Sequence, residues 1–367
     1  MKKILYITTV SRTINAFLIP HIESLIDEGY KVDCACCIDK EVNERIKNKG
    51  CKVFDIPFSR NPLDIKNIKA FKKLVKIQEE NNYDIVHVHT PVASVYGRLL
   101  KIKFHKLKTI YTIHGFHFFK NGSKLNWLIY YPIERMMARF TDVAITINEE
   151  DFNRAKKIGI KEVYHTNGVG VDLNFYDSKL YDKSKCRAKF NIDENDFVIA
   201  MIAEVNKNKN HMQMIRAVEE LCKEHKNIKV LCAGDGPLLN DIKEEINKRN
   251  LSNVIQMLGF RRDINEIISC SDVGILMSYR EGLPRNIMEL MAFGKPVIGT
   301  NIRGIKDLID EGENGYLVEV GDYMKTYYAL ETLISDRELL KKMSENALNK
   351  VDKYSVENVV QELMVVY

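Results

Sequence analysis

Two glutamates stand eight positions apart in the segment REGLPRNIMELMAFGKPVIGT, which covers residues 280–300. Glu281 comes just before a Gly-Leu-Pro turn, and Glu289 follows that turn within an apolar stretch. Proline is common in the first turn of a helix, because its missing N–H would have no partner there, so Pro284 predicts a helix start. We therefore expect Glu281 in a strand-to-helix loop and Glu289 about one and a half turns into the helix.

The start of this helix has the features of an anion site. Gly282 permits a close backbone approach, and the amides near Leu283 and Arg285 lie at the positive end of the helix dipole, which suits a phosphate or diphosphate. A carboxylate beside such a site repels phosphate and is better suited to neutral hydroxyls. Glu289 could accept the hydroxyls of a ribose and Glu281 those of a sugar, which together describe a nucleotide-sugar. The alternative is that both are solvated acids, one of which caps the helix.

Strands and helices alternate along both halves of the chain. Apolar, β-branched runs such as KILYITTV and YDIVHVHT alternate with amphipathic segments such as KNIKAFKKLVKIQEENN, in which Ile68 is expected on the apolar side. The charged stretch at residues 171–196 has the composition of an interdomain connection, and FVIAMIAEV then starts a second series. This rhythm predicts two parallel sheets covered by helices on both faces, with ligands at the carboxyl ends of the strands.

Composition indicates a soluble globular enzyme, with 45% hydrophobic residues and a net charge of +5. No apolar run reaches the roughly 18 residues of a membrane-spanning helix, and MKKILYITTV is expected to be a first strand, not a signal peptide. Cys34 and Cys37 form a C-x-x-C without a second pair, so the eight cysteines are expected to be buried thiols in a reducing cytoplasm. The first half is basic and the second acidic, which suggests different partners for the two halves.

The segment from residue 281 to residue 319, EGLPRNIMELMAFGKPVIGTNIRGIKDLIDEGENGYLVE, resembles the signature of the retaining nucleotide-sugar glycosyltransferases of family four. That signature reads E-x7-E, begins with EG(L/F)P and continues as E-x-MA-x-GKPV. The resemblance covers essentially the whole chain, and it is stronger in the second half. It implies that Glu289 holds the ribose, that Glu281 contacts the donor sugar and that the residues after Glu281, through Arg285, contact the diphosphate.

The resemblance also implies the fold. Family members have the GT-B fold, an α/β architecture of two Rossmann-like domains whose parallel sheets face each other across a cleft. By this likeness residues 1–172 form an acceptor-binding domain and residues 173–351 a domain that binds the nucleotide-sugar donor. The C-terminal helix at about residues 352–367 is expected to pack near the cleft or back on the first domain.

Members of the family carry an arginine and a lysine that neutralise the diphosphate after the first strand of the second domain. In AEVNKNKN, Lys209 matches the lysine, whereas Glu204 stands at the position of the arginine. The departure replaces a cation with an anion. Either Lys207, Arg285 or the helix amides compensate, or the leaving group is stabilised less than is usual in the family. Lys209 as an ordinary surface charge is the alternative.

Two further stretches resemble the nucleotide-binding parts of the family. CAGDGP, which contains Gly234, is similar to a strand-turn near the nucleotide, and LGFRRDI, which contains Arg261, is similar to the loop that contacts the base. Because that loop reads the base largely through its backbone, side chains do not identify the base. UDP is expected from its frequency in the family.

In the first half, His114 ends a strand, where the family places a histidine beside the donor sugar. His117 could serve the acceptor, with a structural imidazole as the alternative. The family's glycine-rich loop after the first strand is replaced by TTVSRTINAFLIP, as in transferases of surface-polysaccharide synthesis, and this makes Arg12 and Asn15 candidates for acceptor contacts.

No metal ion and no cofactor other than the donor substrate are expected. The sequence contains no D-x-D, so the usual ligand pair for a Mg²⁺–diphosphate bridge is missing, and Lys209 with the helix amides would stabilise the departing UDP instead. His87 and His89 in DIVHVHT are expected on different sides of their strand, as core or edge residues and not as metal ligands.

The resemblance implies transfer of a hexose or N-acetylhexosamine from a UDP-sugar, with retention, to a polyprenyl-diphosphate-linked glycan in bacterial surface polysaccharide synthesis. A basic first domain favours anionic lipid headgroups, which predicts a cytoplasmic enzyme that is peripheral at the inner face of the cell membrane. Ordinary solvated lysines are the alternative, and no nucleic-acid-binding module is recognisable. The lysines concerned are Lys66, Lys69, Lys72, Lys73, Lys76, Lys101, Lys103, Lys106 and Lys108.

Two rival functions remain at this point. A sugar-nucleotide epimerase of the same fold would release a free epimer without an acceptor, and a phosphorylase would need a pyridoxal-binding lysine. A non-catalytic sugar-nucleotide-binding subunit of a transferase complex would bind a UDP-sugar yet release no UDP when given a lipid acceptor. Glu204 and the missing glycine loop are the features that favour the subunit.

Overall fold

The computed structural model describes residues 1–62, 64–120 and 122–367. Strands were expected wherever apolar β-branched runs lie between turn residues, and most of the described strands follow those runs. They are β1 (Lys3–Val10), β2 (Lys31–Cys37), β3 (Val53–Asp55), β4 (Ile85–His89), β5 (Lys108–Ile113), β6 (Val143–Thr146), β7 (Glu162–His165), β8 (Phe197–Ile202), β9 (Ile228–Ala233), β10 (Ile255–Gly259), β11 (Val273–Leu276), β12 (Val297–Thr300) and β13 (Gly315–Val318).

The helices fill the intervals between these strands and the C-terminal part of the chain. They are α1 (Ser11–Thr13), α2 (Ile19–Asp27), α3 (Glu44–Asn48), α4 (Lys66–Asn81), α5 (Pro91–Leu99), α6 (Lys124–Met137), α7 (Glu149–Lys157), α8 (Lys183–Lys189), α9 (His211–Glu224), α10 (Leu239–Lys248), α11 (Ile264–Cys270), α12 (Arg285–Ala292), α13 (Ile305–Leu308), α14 (Tyr323–Ser335), α15 (Arg337–Val351) and α16 (Val356–Met364). A π-helical segment, Ile14–Leu18, joins α1 to α2, and Lys207–Lys209 form a 3₁₀ turn.

The chain forms two compact units. Unit 1 contains Met1–Gly170 and Val356–Tyr367, and unit 2 contains Val171–Ser355. The stretch expected to be an interdomain connection belongs to unit 2, because Cys186, Phe190 and Ile192 are buried against strand residues of that unit. Its turn-rich composition concealed a short amphipathic segment that includes α8.

Unit 1 is built on a seven-stranded sheet in the order β3-β2-β1-β4-β5-β6-β7. Neighbouring strands are parallel throughout this sheet. Helix α4 packs Ala70, Leu74 and Ile77 into the core, whereas Ile68, expected on the same side, is exposed. Phe71 and Val75, also expected on that side, are half-buried, so the buried stripe is narrower than the sequence pattern predicted.

The C-terminal segment packs within unit 1. Val359 and Leu363 of α16 are buried in a cluster with Ile14, Leu18 and Ile22. The apolar side of α16 thus covers the π-helical segment and α2. From Val356 onward, the helix that was expected near the cleft or on the first domain is part of that domain's core.

Unit 2 has a six-stranded parallel sheet in the order β10-β9-β8-β11-β12-β13. The strand order reverses between β8 and β11, so the connections that follow these two strands diverge and leave a crevice at their carboxyl ends, where doubly wound sheets bind ligands. Both units are therefore Rossmann-like, as predicted. Among the described residues, no helix combines the length and the apolar character needed to cross a lipid bilayer.

Candidate functional site

The loops that follow β8 and β11 in unit 2 are joined by hydrogen bonds at the point where the strand order reverses. The amide of Tyr279 donates to the Asn208 carbonyl at 2.8 Å, and the Asn208 side chain donates to the Arg280 carbonyl at 2.9 Å. This junction brings Lys209 and Glu281 together, with 2.6 Å between Nζ and Oε1. Two residues that were predicted separately as site residues therefore form one ion pair.

The Lys209–Glu281 pair is held in place and largely shielded from solvent. Asn206 caps the 3₁₀ turn by accepting a hydrogen bond from the Lys209 amide at 3.1 Å, which orients the lysine. The side chains of Lys209 and Glu281 are 19% and 13% exposed. Such a pair is more than a screened surface contact, so the alternative of an ordinary surface lysine does not describe Lys209.

Glu289 lies inside α12, which begins directly after Pro284 as predicted. The hydroxyl of Tyr176 donates to Glu289 Oε1 at 2.8 Å, and Nε of Arg285 lies 3.1 Å from the same oxygen. Burial raises the pKa of Glu289, while Arg285 and Tyr176 act in the opposite direction. The Glu289 side chain is only 13% exposed and has partners, so it is not the solvated acid of the alternative interpretation.

Close contact between Gly304 and Gly282 determines the position of the backbone beside Glu281. Gly304 has φ +82°, and a Cβ built on it would overlap the carbonyl oxygen of Gly282. A side chain at position 304 would therefore push the loop from Glu281 to Pro284 away. Arg303 completes the junction, because its Nε donates to the Glu281 carbonyl at 3.2 Å.

The turn that follows β9 approaches the loop after β8 as closely as Gly304 approaches Gly282. Gly234 has φ +155°, and a Cβ there would overlap the Ala203 carbonyl oxygen. The amide of Val205 donates to the Asp235 carbonyl at 2.9 Å. Gly234 is thus required for the contact between these two loops, whether or not it also approaches a nucleotide.

Three other predicted donor-binding residues have the following surroundings. Glu204 is exposed in the β8 loop. Arg261 pairs with Asp263 in its own loop, with 2.8 Å between Nε and Oδ1, and the Leu283 side chain packs against the core of unit 2. At Leu283 the backbone amide is therefore the candidate donor-binding group, and Arg261 would have to leave Asp263 to contact a base.

In unit 1, His114 is part of a row of imidazoles at the ends of β4 and β5. Its Nε2 lies 3.1 Å from Nδ1 of His89, and the rings of His87 and His89 have centroids 4.3 Å apart. The prediction that His87 and His89 lie on different sides of the strand is wrong, because residues two apart on a strand share a side. His87 continues the row through hydrogen bonds to Thr112, at 2.7 Å, and to the hydroxyl of Tyr367.

Burial keeps these imidazoles neutral. Desolvation lowers the pKa of His114 to about 4 and places the pKa values of His87 and His89 well below the usual histidine range. The neighbouring imidazoles act in the same direction. His114 can thus serve as a neutral hydrogen-bonding group near pH 7, but not as a cation.

The predicted acceptor residues of unit 1 differ in how they are held. Arg12 pairs with Asp39, and the Asn15 side chain donates to the Glu41 carbonyl at 2.8 Å, so both fasten the loop after β2. His117 stacks on Tyr130 with ring centroids 4.6 Å apart. His117 also lines a cavity of about 530 Å³, which makes it the best placed of the three to meet a ligand.

Sequence reasoning missed three residues of the unit 2 site. Tyr176 lay in the stretch read as an interdomain connection, and Arg303 lay unremarked beside Gly304. His211 is buried next to the Lys209 turn, and neither of its ring nitrogens has a hydrogen-bond partner within the described residues. A histidine two positions after a predicted site lysine was the available signal.

The arrangement in unit 2 can serve a ligand with a diphosphate and several hydroxyls. Lys209 and Arg285 supply positive charge, and Glu281 and Glu289 supply acceptors for hydroxyl groups. Within the described residues, Glu224, His225 and Glu331 are close enough together to hold a metal ion. They lie at the C-terminal end of α9, directly after it, and in α14, not in the strand-end loops.

Two family models match the chain. The model described as "Glycosyl transferases group 1" matches residues 182–350, and the model described as "Glycosyl transferase 4-like" matches residues 3–148. The first therefore covers most of unit 2, including the strand-end loops described above, and the second covers most of unit 1.

The matches to two named relatives cover all or most of this chain. The chain is 34% identical to a Bacillus subtilis protein named "Putative glycosyltransferase EpsD", and the match covers 100% of this chain and 96% of that protein. It is 29% identical to the Escherichia coli UDP-Gal:alpha-D-GlcNAc-diphosphoundecaprenol alpha-1,3-galactosyltransferase, over 90% and 86% of the two chains.

Solved structures share the fold. A glycosyltransferase from Rickettsia africae matches with a TM-score of 0.83 and 22% identity, over 100% of this chain and 97% of that one. Anabaena Alr3699/HepE, solved in complex with UDP, matches with a TM-score of 0.82 and 19% identity, over 100% and 99%. Together with the relatives, these matches lead to one conclusion: the chain belongs to the glycosyl transferases of group 1, in the surface-polysaccharide branch of family four with the GT-B fold, and is a glycosyltransferase.

Proposed function

We propose that this glycosyltransferase transfers a hexose or N-acetylhexosamine from a UDP-sugar to a polyprenyl-diphosphate-linked glycan in bacterial surface polysaccharide synthesis, with retention of the anomeric configuration. The observation that carries the proposal is the site of unit 2. The Lys209–Glu281 pair lies on the loops at the reversal of strand order, and Tyr176 contacts the Arg285–Glu289 pair of the adjoining helix α12. This site therefore combines cations that suit a diphosphate with carboxylates that can accept hydrogen bonds from hydroxyl groups.

The names of relatives support the choice of substrates. The Escherichia coli relative is named for a UDP-Gal donor and a diphosphoundecaprenol acceptor, and a Campylobacter jejuni relative with 24% identity is named for a diphospho-undecaprenol acceptor. A Staphylococcus aureus relative with 25% identity is named for capsular polysaccharide biosynthesis. The Anabaena protein of the same fold has been solved with UDP and with UDP-glucose.

In this proposal the donor takes over existing contacts. Glu289 accepts the ribose hydroxyls, and Glu281 accepts hydroxyls of the transferred sugar. Lys209 then turns from Glu281 toward the diphosphate, where Arg285 and the backbone amides near Leu283 assist. Because each charge already has a partner before the donor binds, binding exchanges ion pairs and does not bury an isolated charge.

The proposed reaction is a same-face substitution. The bond between the anomeric carbon and the diphosphate oxygen breaks, and its electrons go to that oxygen. The acceptor hydroxyl forms the new bond to the anomeric carbon and gives its proton to the departing diphosphate. Glu281 holds hydroxyls and is not the nucleophile, and His114, as a neutral imidazole, hydrogen-bonds the transferred sugar.

We also propose that the protein needs no metal ion and that it works at the inner face of the cell membrane. Lys209 and Arg285 supply the charge that a metal would otherwise supply. The lysines of α4, such as Lys69 and Lys73, are exposed and available to anionic lipid. In the second basic stretch, Lys101 and Lys103 pair with acids and Lys108 donates to the Val366 carbonyl, so this stretch contributes less.

The test combines binding with transfer. A panel of nucleotide-sugars is screened for thermal stabilisation of the protein, and the stabilising donor is then incubated with a polyprenyl-diphosphate-linked N-acetylhexosamine. We expect a UDP-sugar to stabilise, UDP to be released only with acceptor present, and the product to keep the donor's anomeric configuration by NMR. Release of a free epimer without acceptor would identify an epimerase, and binding without UDP release would identify a non-catalytic subunit; either result would overturn the proposal.

A further inference from the structure

Helix α6 of unit 1 has an apolar face that no described part of the protein covers. Leu128 is 73% exposed and Leu125 is 61% exposed. Each member of the face has another member three or four positions away, so the residues form one stripe along the helix. The exposed apolar residues of the stripe are Leu125, Leu128, Ile129, Pro132, Ile133 and Met136.

The opposite face of α6 is apolar as well, and it anchors the helix to unit 1. Trp127, Tyr130 and Tyr131 pack against the core of the unit, and Met137 is buried. The side of α6 that faces the core is thus already apolar and packed, and the exposed stripe is a second apolar face of the same helix. A contiguous row of large aliphatic side chains in water is costly, and such patches mark interaction surfaces.

The charges around the stripe have one sign. Lys124, Arg135 and Arg139 are exposed on or directly after α6. The acid of this helix, Glu134, is buried and bound to Arg98, with 3.0 Å between Oε2 and Nη1. No exposed carboxylate within α6 opposes the cations, so the face is apolar with a basic rim.

The same helix borders the cavity of about 530 Å³ that His117 lines. Tyr130, Ile133 and Glu134 form the helix side of this cavity, and Thr9 and Thr90 form its side at the strand ends of β1 and β4. Ile133 belongs both to the exposed stripe and to the cavity wall. A ligand held in this cavity would therefore lie directly beside the surface that α6 presents.

We propose that the apolar stripe of α6 docks in the interface of an anionic lipid bilayer, with Leu125, Leu128 and their neighbours in the acyl boundary and the basic rim on the headgroups. Helices with an apolar face and flanking cations bind bilayers in this way. A second copy of the chain is a poorer partner, because two such faces would bring their cations together without acids between them. The proposal deepens the proposed function, since a lipid-linked acceptor would enter the cavity from the membrane side.

Vesicle co-sedimentation tests the docking without any substrate. The full-length protein is mixed with vesicles of phosphatidylcholine alone or with phosphatidylglycerol added, and it is compared with the Leu125→Glu/Leu128→Glu variant. We expect the protein to bind the vesicles that contain phosphatidylglycerol and the variant to bind them roughly tenfold or more weakly, since two aliphatic side chains no longer enter the bilayer. Binding to phosphatidylcholine alone should be weaker for the wild type because the basic rim lacks a partner.

Two further variants separate the stripe from general effects. Leu180→Glu/Leu348→Glu makes the same chemical change at exposed positions of unit 2 and should bind vesicles like the wild type. Leu125→Gln/Leu128→Gln removes the apolar groups without adding charge and should also lose affinity. Circular dichroism and thermal unfolding verify that each variant is folded.

Failure of this inference and of the proposed function can be told apart. Equal vesicle affinity of the wild type and of both α6 variants, or no binding by the wild type, would overturn the inference, as would a dimer in light scattering that the Leu125→Glu/Leu128→Glu variant abolishes. Vesicle binding without any sugar transfer would contradict the proposed function but would still support the inference. With a water-soluble acceptor analogue, the α6 variants should transfer sugar at the wild-type rate.

Discussion

The two units share a topology but end their central strands with different chemistry. In unit 2 the strand-end loops carry the pair of Lys209 with Glu281, and helix α12 directly after them carries the pair of Arg285 with Glu289. In unit 1 the carboxyl ends of β4 and β5 carry imidazoles that burial keeps uncharged, among them His89 and His114. Paired charges therefore lie near the carboxyl ends of the strands in unit 2, whereas neutral hydrogen-bonding groups lie there in unit 1.

This difference indicates which unit can accept a charged ligand. A buried ion pair can exchange one partner for a phosphate or a hydroxyl at modest cost, because both charges are already desolvated. A row of neutral imidazoles would have to take up protons before it could compensate an anion, and burial opposes that. We therefore expect the diphosphate to bind in unit 2, and the predictions below test this division from the largest expected effect to the smallest.

Glu281→Ala should lower the turnover number by about 10²–10³-fold while leaving UDP affinity unchanged or slightly tighter. The carboxylate is proposed to hold the transferred sugar, so its loss removes positioning at the reacting carbon. Without Glu281, however, Lys209 is free to contact the diphosphate. Steady-state kinetics and calorimetric titration with UDP measure the two effects, with Glu244→Ala, an exposed glutamate on α10, as the matched control. A large loss of UDP affinity in Glu281→Ala would contradict this assignment.

Glu289→Ala should weaken UDP binding by roughly 10–100-fold, which is the range expected for lost hydrogen bonds to a charged group. Tyr176→Phe, which removes only the hydroxyl that donates to Glu289, should change the affinity a few fold at most. Titration with UDP and with uracil alone distinguishes the ribose contact from base binding. If UDP binds Glu289→Ala as tightly as the wild type, the ribose assignment is wrong.

The raised pKa of Glu289 gives this contact a pH dependence. Protonation removes acceptor capacity, so UDP affinity should fall as pH falls through that pKa, and the fall should begin at a higher pH than for an ordinary glutamate. UDP titrations across an acidic pH series measure it. In Glu289→Gln the fall should be absent, and an unchanged acid profile in that variant would assign the dependence to another group.

Acid should destabilise unit 1 through its buried imidazoles. Their pKa values are lowered in the folded state, so below about pH 6.5 the unfolded chain binds protons that the folded chain does not, and stability falls as pH falls toward about 4. Each such histidine costs about 1.4 kcal/mol per pH unit in that window. Urea unfolding followed by fluorescence of Trp127, the single tryptophan, reports on unit 1.

The matched variants for this stability test are His89→Gln and His165→Gln. His89 is buried and His165 is exposed, so only the first substitution should reduce the loss of stability between pH 7 and pH 5.5. The comparison between the units would fail if both variants kept the full acid sensitivity of the wild type.

Removal of divalent metal should have the smallest effect. If Lys209 and Arg285 supply the charge opposite the diphosphate, transfer rates with excess EDTA should equal those with added Mg²⁺. The assay is UDP release with the lipid-linked acceptor. A rate that collapses in EDTA and returns with Mg²⁺ would show that the paired cations of unit 2 are insufficient.

Much of the architecture followed from the sequence. Apolar β-branched runs predicted most strands, and Pro284 predicted the start of α12, because backbone sterics and burial act locally. The shared side of His87 and His89 was also available from the period of a strand, and the prediction misapplied it. β7 and β13 were missed, since each is a run of four residues that is only partly buried at the edge of its sheet.

Only the tertiary structure decided which of the predicted residues meet. Lys209 and Glu281 lie 72 positions apart, and Tyr176 and Glu289 lie 113 positions apart, so each contact depends on how strands are ordered in the sheet of unit 2. The residues on both sides of α6 are apolar, and packing alone selected which of them remained in water. Sequence determines where a chain can form strands and helices, whereas pairings between distant loops depend on the whole set of packed layers, because no local energy term favours one distant partner over another.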